Sequence, residues 1–424
     1  MKKLFTIFWY LILSHVLYSQ IGWYQLPCSQ TLSLNGIYFT DQNTGYITRD
    51  DGTVLKTTNN GNDCFNSLLI TGYSYEPEKI CFPSIDFGFF STWQGYIIRT
   101  TNAGGNWSSY HLSSEHLSTL YFPSLNTGYA AGFDGTTNGI IFKTTDVGNS
   151  WFTTSTQYSQ VLESIYFLDA NTGFVSGAYN NGWGSIILKT TNGGVNWNQT
   201  TFYPDVYDIT DIYFMNSNTG FAVGNYNGGG SWVIYETVNG GLNWNFLQYS
   251  NGGGQLRRIR FWNDNVGITV GYAGHILQTT NGGTNWINYG SPVSNNLYDI
   301  YFTNNYGFIV GMNGTILKGN LLNGIRNVNN KIPNRFQLYL NYPNPFNPTT
   351  KINFDISKSS FTKLIIYDIL DREVMTLVNE ELKPGSYEYE WNGSGFASGV
   401  YFYKLTTGDA SSPLSITKKM VLLK

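Results

Sequence analysis

The chain has 424 residues and a formal net charge of −3, and only 12% of its residues are charged, against about 25% in an average soluble domain. Aromatic residues make up 17%, so Asn, Thr, Ser, Gly and Tyr must cover much of the surface. Lys and Arg are too sparse and too evenly spread for a nucleic-acid-binding face, and we predict no nucleic-acid partner. The length leaves room for more than one domain.

The first residues are typical of an export signal. A positive start at Lys2 and Lys3 precedes a mostly apolar stretch up to Leu17, and Ser19 is a small residue suited to cleavage. We therefore predict a signal peptide over residues 1–19. No later segment approaches the roughly 20 apolar residues of a spanning helix, so we expect no transmembrane segment after signal removal.

A repeat dominates the chain from residue 37 to residue 319. Each unit contains an apolar strand, an Asn-Thr-Gly-type turn, a second strand and a segment close to Thr-Thr-Asn-Gly-Gly-x-Asn-Trp. The first strand is found at Ile37–Phe39, Ile80–Phe82, Leu120–Phe122, Ile165–Phe167, Ile212–Phe214, Ile259–Phe261 and Ile300–Phe302. A period of about 40 to 47 residues with four short β-type runs predicts propeller blades, because one such sheet must stack on its neighbours.

The tryptophan that ends the repeat indicates how the ring closes. It is present in five units, and Cys64 takes its place in the first. The seventh unit stops at Lys318 without a tryptophan, whereas Trp23 lies in a strand-like segment at the other end of the chain. We therefore predict an all-β fold over 20–318, a seven-bladed propeller closed by an N-terminal strand. Its blade-clip tryptophans are Trp23, Trp107, Trp151, Trp197, Trp244 and Trp286.

The three cysteines are Cys28, Cys64 and Cys81. Export permits a disulfide, but an odd count in a protein with a large core argues that the fold does not depend on a cystine framework. Unpaired cysteines are therefore favoured, and a bridge between Cys28 and Cys64 is the alternative.

The segments Thr101–Trp107, Thr191–Trp197 and Thr280–Trp286 resemble Asp-box turns. The whole unit is similar to the repeat of the photosystem II assembly-factor propellers. In each turn a short polar side chain is expected to bind the backbone two residues on, beside glycines of positive φ. These side chains belong to Asn102, Asp146, Asn192, Asn239 and Asn281. We interpret the Asp-box as a structural clip in which the tryptophan is buried, not as a ligand site.

Asp-box propellers also include sialidases and other glycoside hydrolases, so an enzyme is an alternative. A sialidase of that kind binds its substrate carboxylate with three arginines. The arginines of the predicted propeller are Arg49, Arg99, Arg257, Arg258 and Arg260. Because three of them share one strand, a triad from separate blades is hard to assemble.

Charged residues near the starts of the inner strands are the candidate binding site. They are Lys79, Glu163, Asp208, Asp211, Arg258 and Asp299. At one mouth of the central channel they would bind a ligand or supply the two carboxylates of a glycosidase; otherwise they are only a solvated rim. We assign no catalytic residue, no cofactor and no metal, since the few histidines lie outside any zinc-binding motif.

Loop aromatic residues are the second candidate, because they would stack on sugars or anchor a protein partner. They are Tyr73, Tyr75, Trp93, Tyr179, Trp183, Tyr203 and Tyr226. The alternative is that most of them cap blades.

The pattern changes after Lys318. Residues 319–334 are polar and Asn-rich and are predicted as a linker. Alternating strands then predict a small Ig-like antiparallel β-sandwich over 335–424. The predicted strands are Lys351–Ile356, Thr362–Tyr367, Glu373–Leu377, Gly385–Trp391, Gly399–Thr406 and Ser415–Leu423.

This region closely resembles the C-terminal sorting domain of the type IX (Por) secretion system of Gram-negative bacteria. The resemblance rests on an N-Y-P-N-P-F-N-P run, on Ile366–Asp368, on Ser398–Tyr401 and on the basic C-terminus. The sorting motif comprises Asn341, Tyr342, Pro343, Asn344, Pro345, Phe346, Asn347, Pro348, Lys418 and Lys419. One departure is Asp371, where the family usually has glycine; aspartate tolerates a left-handed conformation better than most residues.

The resemblance implies that the outer-membrane export machinery reads this domain, which is then often cleaved as the passenger is released or attached to the surface. We hypothesise that the translocon grips the proline-rich edge or the last strand. The sequence thus predicts a secreted or cell-surface binding or scaffold protein with an unknown protein or glycan ligand. The alternatives are a secreted glycoside hydrolase and, from the repeat resemblance alone, a photosystem-assembly role that the export domain disfavours.

Overall fold

The computed structural model describes residues 22–423 except 63, 69–75, 113–115, 136–137, 156–159, 180–183, 204–205, 227–229, 251, 289, 321–324, 330–331, 394–395 and 409–413. The predicted signal peptide, residues 1–19, lies outside this range. The chain divides into two compact units, whose boundary falls between Leu321 and Leu322.

The first unit consists of seven four-stranded antiparallel sheets. The N-terminal strand is β1 (Trp23–Gln25), and the first blade comprises β2 (Leu34–Phe39), β3 (Gly45–Arg49), β4 (Val54–Thr57) and β5 (Asn66–Leu68). The second blade comprises β6 (Pro77–Cys81), β7 (Gly88–Thr92), β8 (Tyr96–Thr100) and β9 (Ser108–His111). The third blade comprises β10 (Leu117–Tyr121), β11 (Gly128–Phe133), β12 (Gly139–Thr144) and β13 (Phe152–Ser155).

The remaining blades repeat this order. The fourth blade comprises β14 (Gln160–Phe167), β15 (Gly173–Tyr179), β16 (Ser185–Thr190) and β17 (Asn198–Tyr203). The fifth comprises β18 (Val206–Phe214), β19 (Gly220–Tyr226), β20 (Ser231–Thr237) and β21 (Asn245–Ser250). The sixth comprises β22 (Leu256–Phe261), β23 (Gly267–Gly271), a 3₁₀ turn (Tyr272–Gly274), β24 (Ile276–Thr279) and β25 (Ile287–Asn288). The seventh comprises β26 (Leu297–Phe302), β27 (Tyr306–Gly311), a 3₁₀ turn (Met312–Gly314) and β28 (Ile316–Asn320).

Each blade buries its faces against its neighbours. In the interface between the third and fourth blades, Phe167 stacks on Tyr129 of the preceding blade with ring centroids 4.0 Å apart. Both side chains belong to one buried apolar cluster that contains residues of both blades. Since no sheet can bury both faces alone, the stack is stable only as a ring.

The ring closes as predicted, and the count of seven sheets is confirmed. Strand β1 pairs antiparallel with β28, with Trp23 opposite Gly319. The Leu26 amide then donates to the Ile316 carbonyl over 2.9 Å. The Trp23 ring lies over Gly307, where an added Cβ would come within 2.6 Å of it. The seventh blade is thus built from both ends of the propeller.

The prediction of unpaired cysteines is wrong for two of the three. Cys28 and Cys64 form a disulfide across 36 residues of sequence, and Cys81 is free. Cys64 ends the Asp-box turn of the first blade, where the next five blades have tryptophan. The bridge ties that turn to the segment that follows β1, so it adds to the closure of the ring.

The second unit is the predicted antiparallel β-sandwich. Its strands are β29 (Ile325–Asn329), β30 (Gln337–Leu338), β31 (Thr349–Ile356), β32 (Ser360–Tyr367), β33 (Glu373–Leu382), β34 (Gly385–Asn392), β35 (Gly399–Thr407) and β36 (Leu414–Leu422). One sheet has the order β29-β34-β31-β30 and the other β33-β32-β35-β36. The sheets meet in an aromatic core, where the rings of Trp391 and Tyr401 lie 5.7 Å apart.

Two details of this unit bear on the sequence analysis. Part of the predicted linker, 319–334, is strand, because β29 pairs with β34. Its Ile-Arg-Asn-Val-Asn sequence has the two-residue period of a strand, which the Asn-rich composition of the segment obscures. Asp371 does adopt the expected left-handed conformation, with φ of 59°.

Candidate ligand sites of the channel and the sorting motif

The inner strands of the propeller place three layers of side chains around the channel. The register of these strands shifts just before the repeated apolar motif, as between Leu256 and Arg258. A bulge of this kind turns two successive side chains toward the same side. The third layer is formed by the central residue of each motif, such as Arg260 in the sixth blade. The second layer is formed by the residue two positions before it, such as Arg258, and the first layer by the residue three positions before it, such as Arg257.

The first layer opens into a cavity of about 570 Å³, which we call the wide mouth. The side chains that line it include Asn35, Asp50, Glu76, Glu78, Trp93, His116, Glu163, Arg257, Tyr272 and Tyr298. Carboxylates therefore outnumber cationic groups at this end of the channel. Of the predicted binding residues, Glu163 and Arg258 line this cavity.

Trp93 is the most accessible ring of the wide mouth. It is 50% exposed and stacks on His116 with centroids 3.9 Å apart. His116 in turn lies 3.4 Å from the Glu78 carboxylate. The ring is thus fixed on one face and accessible on the other.

Asp208 and Glu163 form an acidic pair near this cavity. Burial, reinforced by the charge of Glu163, raises the pKa of Asp208 to about 7, although Arg257 acts in the opposite direction. The Asn225 amide also donates to the Asp208 carboxylate over 2.6 Å. Asp208 therefore holds its proton far more readily than an ordinary aspartate.

Asp299 lies in the second layer, inside the channel and not on the rim where we expected it. It is fully buried and contacts Lys79 at 2.8 Å. It also accepts a hydrogen bond of 3.1 Å from the Ile37 amide of the first blade. Burial opposes ionisation, but Lys79 and the arginines keep the pKa of Asp299 below its ordinary value. Burial lowers the pKa of Lys79 to about 8.

Asp211 plays the same part between the fifth and sixth blades. It is 3% exposed and accepts the Ile259 amide at 3.0 Å. It also pairs with Arg260 at 2.5 Å and accepts the Ser164 hydroxyl at 3.0 Å. A buried carboxylate with three partners joins blades together. The rim prediction is therefore wrong for Asp211 and Asp299, because the bulge places them one layer below the opening.

The turns that resemble Asp-boxes are closed by hydrogen bonds that differ from the expected pattern. In the second blade the side-chain oxygen Oδ1 of Asn102 accepts the backbone amide of Asn106, four residues on and not two, over 2.8 Å. The Thr100 hydroxyl accepts the Gly104 amide over 3.0 Å. The chain turns back between these positions because Ala103 and Gly104 both have positive φ, 55° and 82°. Asp146, Asn192, Asn239 and Asn281 likewise accept an amide four residues on.

The tryptophans of these turns pack against their own blades. Trp286 is 3% exposed, and its ring meets that of Phe261 edge to face with centroids 5.6 Å apart. Trp107, Trp151, Trp197 and Trp244 make the corresponding contacts with Phe82, Phe122, Phe167 and Phe214.

The repeated lysine joins each of these blades to the next, a role that was not predicted. Lys56, Lys143 and Lys189 each donate to a carbonyl in the Asp-box of the next blade, over 3.0, 2.7 and 2.7 Å. Lys318 does so across the closure and reaches the Asn60 carbonyl at 2.8 Å. The sequence signal for this role was the recurrence of lysine at one strand position of the repeat. A lysine that only faces solvent would not be expected at the same position in several blades.

The loop aromatics divide into several groups. Trp93 lies in the wide mouth, while Tyr179 and Tyr226 are half-buried. Tyr73, Tyr75 and Trp183, and the side chain of Tyr203, lie outside the described residues.

The two parts of the sorting motif lie together. Phe346 is 2% exposed and bridges in parallel to Leu422 in the last strand. Its amide donates to the Val421 carbonyl at 3.0 Å, and its carbonyl accepts the Leu423 amide at 2.9 Å. The Asn344 side chain also accepts the Val421 amide over 3.0 Å. The proline-rich run and the C-terminus therefore form one surface.

The residues that the structure describes contain no helix long and apolar enough to cross a membrane. No group of three or more His, Cys, Asp or Glu side chains that could hold a metal ion is found among them.

Comparison with known protein families agrees with the sandwich. Residues 341–422 match the family described as secretion system C-terminal sorting domain. The resemblance drawn from the N-Y-P-N-P-F-N-P run is thereby confirmed. A search of curated proteins finds no match.

Comparison with solved structures agrees with the propeller. The chain is similar to YCF48 bound to D1 peptide, at 19% identity and a TM-score of 0.56, over 71% of this chain and 97% of that one. It is similar to YCF48 from Cyanidioschyzon merolae, at 19% and 0.55, over 70% and 98%. A catalytically inactive virginiamycin B lyase from Staphylococcus aureus with quinupristin is similar at 13% and 0.58, over 71% and 99%. At these identities the likeness shows the fold alone.

Proposed function

We propose that this protein is a secreted or cell-surface glycan-binding protein that a type IX secretion system exports. The sandwich is the export signal and the propeller is the passenger. The observation that carries the export half is the family match over residues 341–422. The geometry adds that the sorting run and the last strand form a single surface. Several of its apolar side chains are exposed, Tyr342 by 78% and Leu423 by 51%.

Export is tested in a bacterium that has a type IX system. A chain that ends at Asn334 should remain inside the cell, because the whole sorting surface is gone. Tyr342→Ala should lower the exported amount at least about fivefold, since exposed aromatic residues often dominate recognition surfaces. Phe361→Ala is the matched control, as Phe361 is a ring exposed by 49% in β32, which is not part of that surface. Undiminished export of the truncated chain would refute the proposal.

The wide mouth supports the binding half. A half-exposed tryptophan supplies a flat apolar face, and the carboxylates around it supply hydrogen-bond acceptors for hydroxyl groups. Such a mixture of one ring with several fixed polar groups is typical of a small-ligand site. Glycans present both kinds of surface, apolar ring faces and dense hydroxyl groups.

Binding is tested on a glycan array with the mature chain. Trp93→Ala should weaken glycan binding at least about tenfold, because it removes the stacking face. Phe152→Ala is the matched control, since Phe152 is a ring of similar exposure, 48%, on an outer strand. If both variants bind as the unmodified protein does, the glycan site is not in the wide mouth.

One observation favours a glycoside hydrolase as a second candidate. The pKa of Asp208 is raised to about 7, in part by the nearby charge of Glu163, and glycosidases use a pair of carboxyl groups in which the acid has a raised pKa. Hydrolysis of a polysaccharide by the mature chain that Glu163→Gln abolishes would establish this function. The absence of turnover on a broad panel would leave binding as the function.

A further inference from the structure

The third layer of the channel, at the end where the inner strands finish, is built from phenol rings. In five blades the central residue of the apolar motif is a tyrosine, and its ring lies over the phenylalanine that ends the motif of the next blade. The ring pairs are Tyr38–Phe82, Tyr121–Phe167, Tyr166–Phe214, Tyr213–Phe261 and Tyr301–Phe39, with centroids 5.8 to 6.4 Å apart.

Three of the five tyrosine hydroxyl groups donate to the backbone carbonyl of the phenylalanine beneath the ring. The hydroxyl of Tyr301 donates to the backbone carbonyl of Phe39 over 2.9 Å. Those of Tyr121 and Tyr166 donate to the carbonyls of Phe167 and Phe214, each over 3.2 Å. A phenol socket therefore consists of a phenylalanine ring and that residue's own carbonyl oxygen.

The second blade leaves its socket empty, because Cys81 stands where the five tyrosines stand. The phenylalanine of that socket is Phe122, which remains partly exposed. The five phenylalanines beneath a tyrosine are only 2% to 8% exposed. A cavity of about 340 Å³ lies at this position, and its walls include Cys81, Phe122 and Tyr121. Because the side chain of Cys81 is shorter than that of tyrosine, it leaves a space where the tyrosine ring lies in the five other blades.

The sixth blade also lacks a tyrosine, but its position is occupied differently. Arg260 binds Asp211 at 2.5 Å, and its guanidinium lies 5.8 Å from the centre of the Tyr213 ring. The Arg260 side chain lines the same cavity, where its charge is neutralised by Asp211. Lys79, which also lines it, is likewise neutralised by Asp299. The cavity therefore offers no unpaired charge to an anionic ligand.

We propose that the empty socket binds a 4-alkylphenol group. The ring would pack on Phe122 as the five tyrosines pack on theirs, and its hydroxyl would donate to the Phe122 carbonyl. The rim of the cavity is formed by Pro83, Pro123 and Leu125, and Leu125 is 42% exposed. A substituent in the 4-position therefore has a path to solvent. This site lies at the other end of the channel from the wide mouth and does not depend on the proposed glycan binding.

The test is calorimetric titration of the mature chain with p-cresol as the probe. Cys81→Tyr puts a phenol of the chain itself into the socket and should weaken p-cresol binding at least about tenfold, because the space is then filled. Cys81→Ser keeps the socket open and should change binding less than about threefold. Toluene, which lacks the hydroxyl, should bind the unmodified protein several-fold more weakly, since the hydrogen bond to the carbonyl is lost.

Two results would overturn the proposal. One is the failure of the unmodified protein to bind p-cresol, and the other is equal binding by Cys81→Tyr and the unmodified chain. If Cys81→Tyr does not fold, Cys81→Met fills part of the same space and should weaken binding by a smaller factor. Equal binding by a folded Cys81→Met variant and Cys81→Ser would then count against the site.

Discussion

Single charged residues in the channel serve two different purposes. Asp211 and Asp299 are buried, fully paired and bonded to an amide of the following blade, so they hold the ring together. Glu163 and Asp208 have no ion pair among the described residues, and the charge of Glu163 helps to raise the pKa of Asp208. An unpaired acidic group near a cavity is a candidate for function, whereas a saturated one is part of the framework.

Asp208 should make the stability of the protein depend on pH. Its pKa is about 7 in the folded chain and near 3.8 when unfolded. Between these values the folded state binds more protons than the unfolded state, so the free energy of unfolding falls as pH rises from about 4 to 7. Asp208→Asn should remove this fall and stabilise the protein at pH 8 by up to about 4 kcal/mol. Urea denaturation at several pH values measures it.

Asp169 supplies a control of opposite sign. Its carboxylate accepts the amides of Asn171 and Thr172, and these bonds lower its pKa. Its contribution to stability is therefore lost as pH falls below about 4, and Asp169→Asn should weaken the protein only above that pH. If Asp208→Asn gives the same profile as Asp169→Asn, the raised pKa of Asp208 is contradicted.

At the scale of the element, one blade is a sheet that cannot stand alone, and its turn carries the contacts to the next. The Asp-box fixes its own loop through a threonine and an asparagine, and the loop then presents a carbonyl to the lysine of the preceding blade. Lys189, for example, reaches the Gly240 carbonyl over 2.7 Å. The repeat therefore encodes an interface between neighbours as well as a fold within each unit.

Thr237 in the fifth Asp-box tests the role of the turn. Its hydroxyl accepts the buried Gly241 amide over 2.9 Å. Thr237→Val keeps the shape of the side chain but leaves that amide without a partner, which should cost about 1–3 kcal/mol of unfolding free energy. Thr153→Val is the control, because Thr153 is exposed on an outer strand and should change stability by less than about 0.5 kcal/mol. Equal effects in a denaturant titration would argue against the clip.

The limits of sequence reasoning are visible in these elements. The repeat predicted seven blades and their closure, because the spacing of Ile-Tyr-Phe motifs and tryptophans is set by local chemistry. The predicted position of Asp299 was wrong, because the alternation of apolar and polar residues does not reveal a bulge that changes which side of the strand a side chain points to. The repeat missed the socket at Cys81, because a cavity exists only when seven strands meet around one axis. The Cys28–Cys64 bridge was only the alternative to unpaired cysteines, because the approach of the two residues follows from closure and not from sequence spacing.

At the scale of the whole propeller, stability depends on how the two ends meet. The features that act at that seam include the pairing of β1 with β28, the Lys318 bond to Asn60, the Asp299 bond to Ile37 and the disulfide. The other six blades are each built from consecutive strands, so the non-covalent pairing of β1 with β28 is where opening of the ring is most easily started.

The disulfide should therefore contribute strongly to the stability of the propeller. Closing a loop across 36 residues reduces the entropy of the unfolded chain by an amount worth up to about 4 kcal/mol. Cys28→Ser should lower the unfolding free energy in guanidinium by about 2–4 kcal/mol, and the reductant should have the same effect on the unmodified protein. Cys81→Ser is the matched control, since Cys81 is free and its loss breaks no cross-link. If a reductant destabilises Cys28→Ser as much as it destabilises the unmodified protein, the bridge is not the cause of the effect. If hydrogen exchange shows that the Cys28→Ser variant opens first at β1, the weak point of the ring lies at the seam.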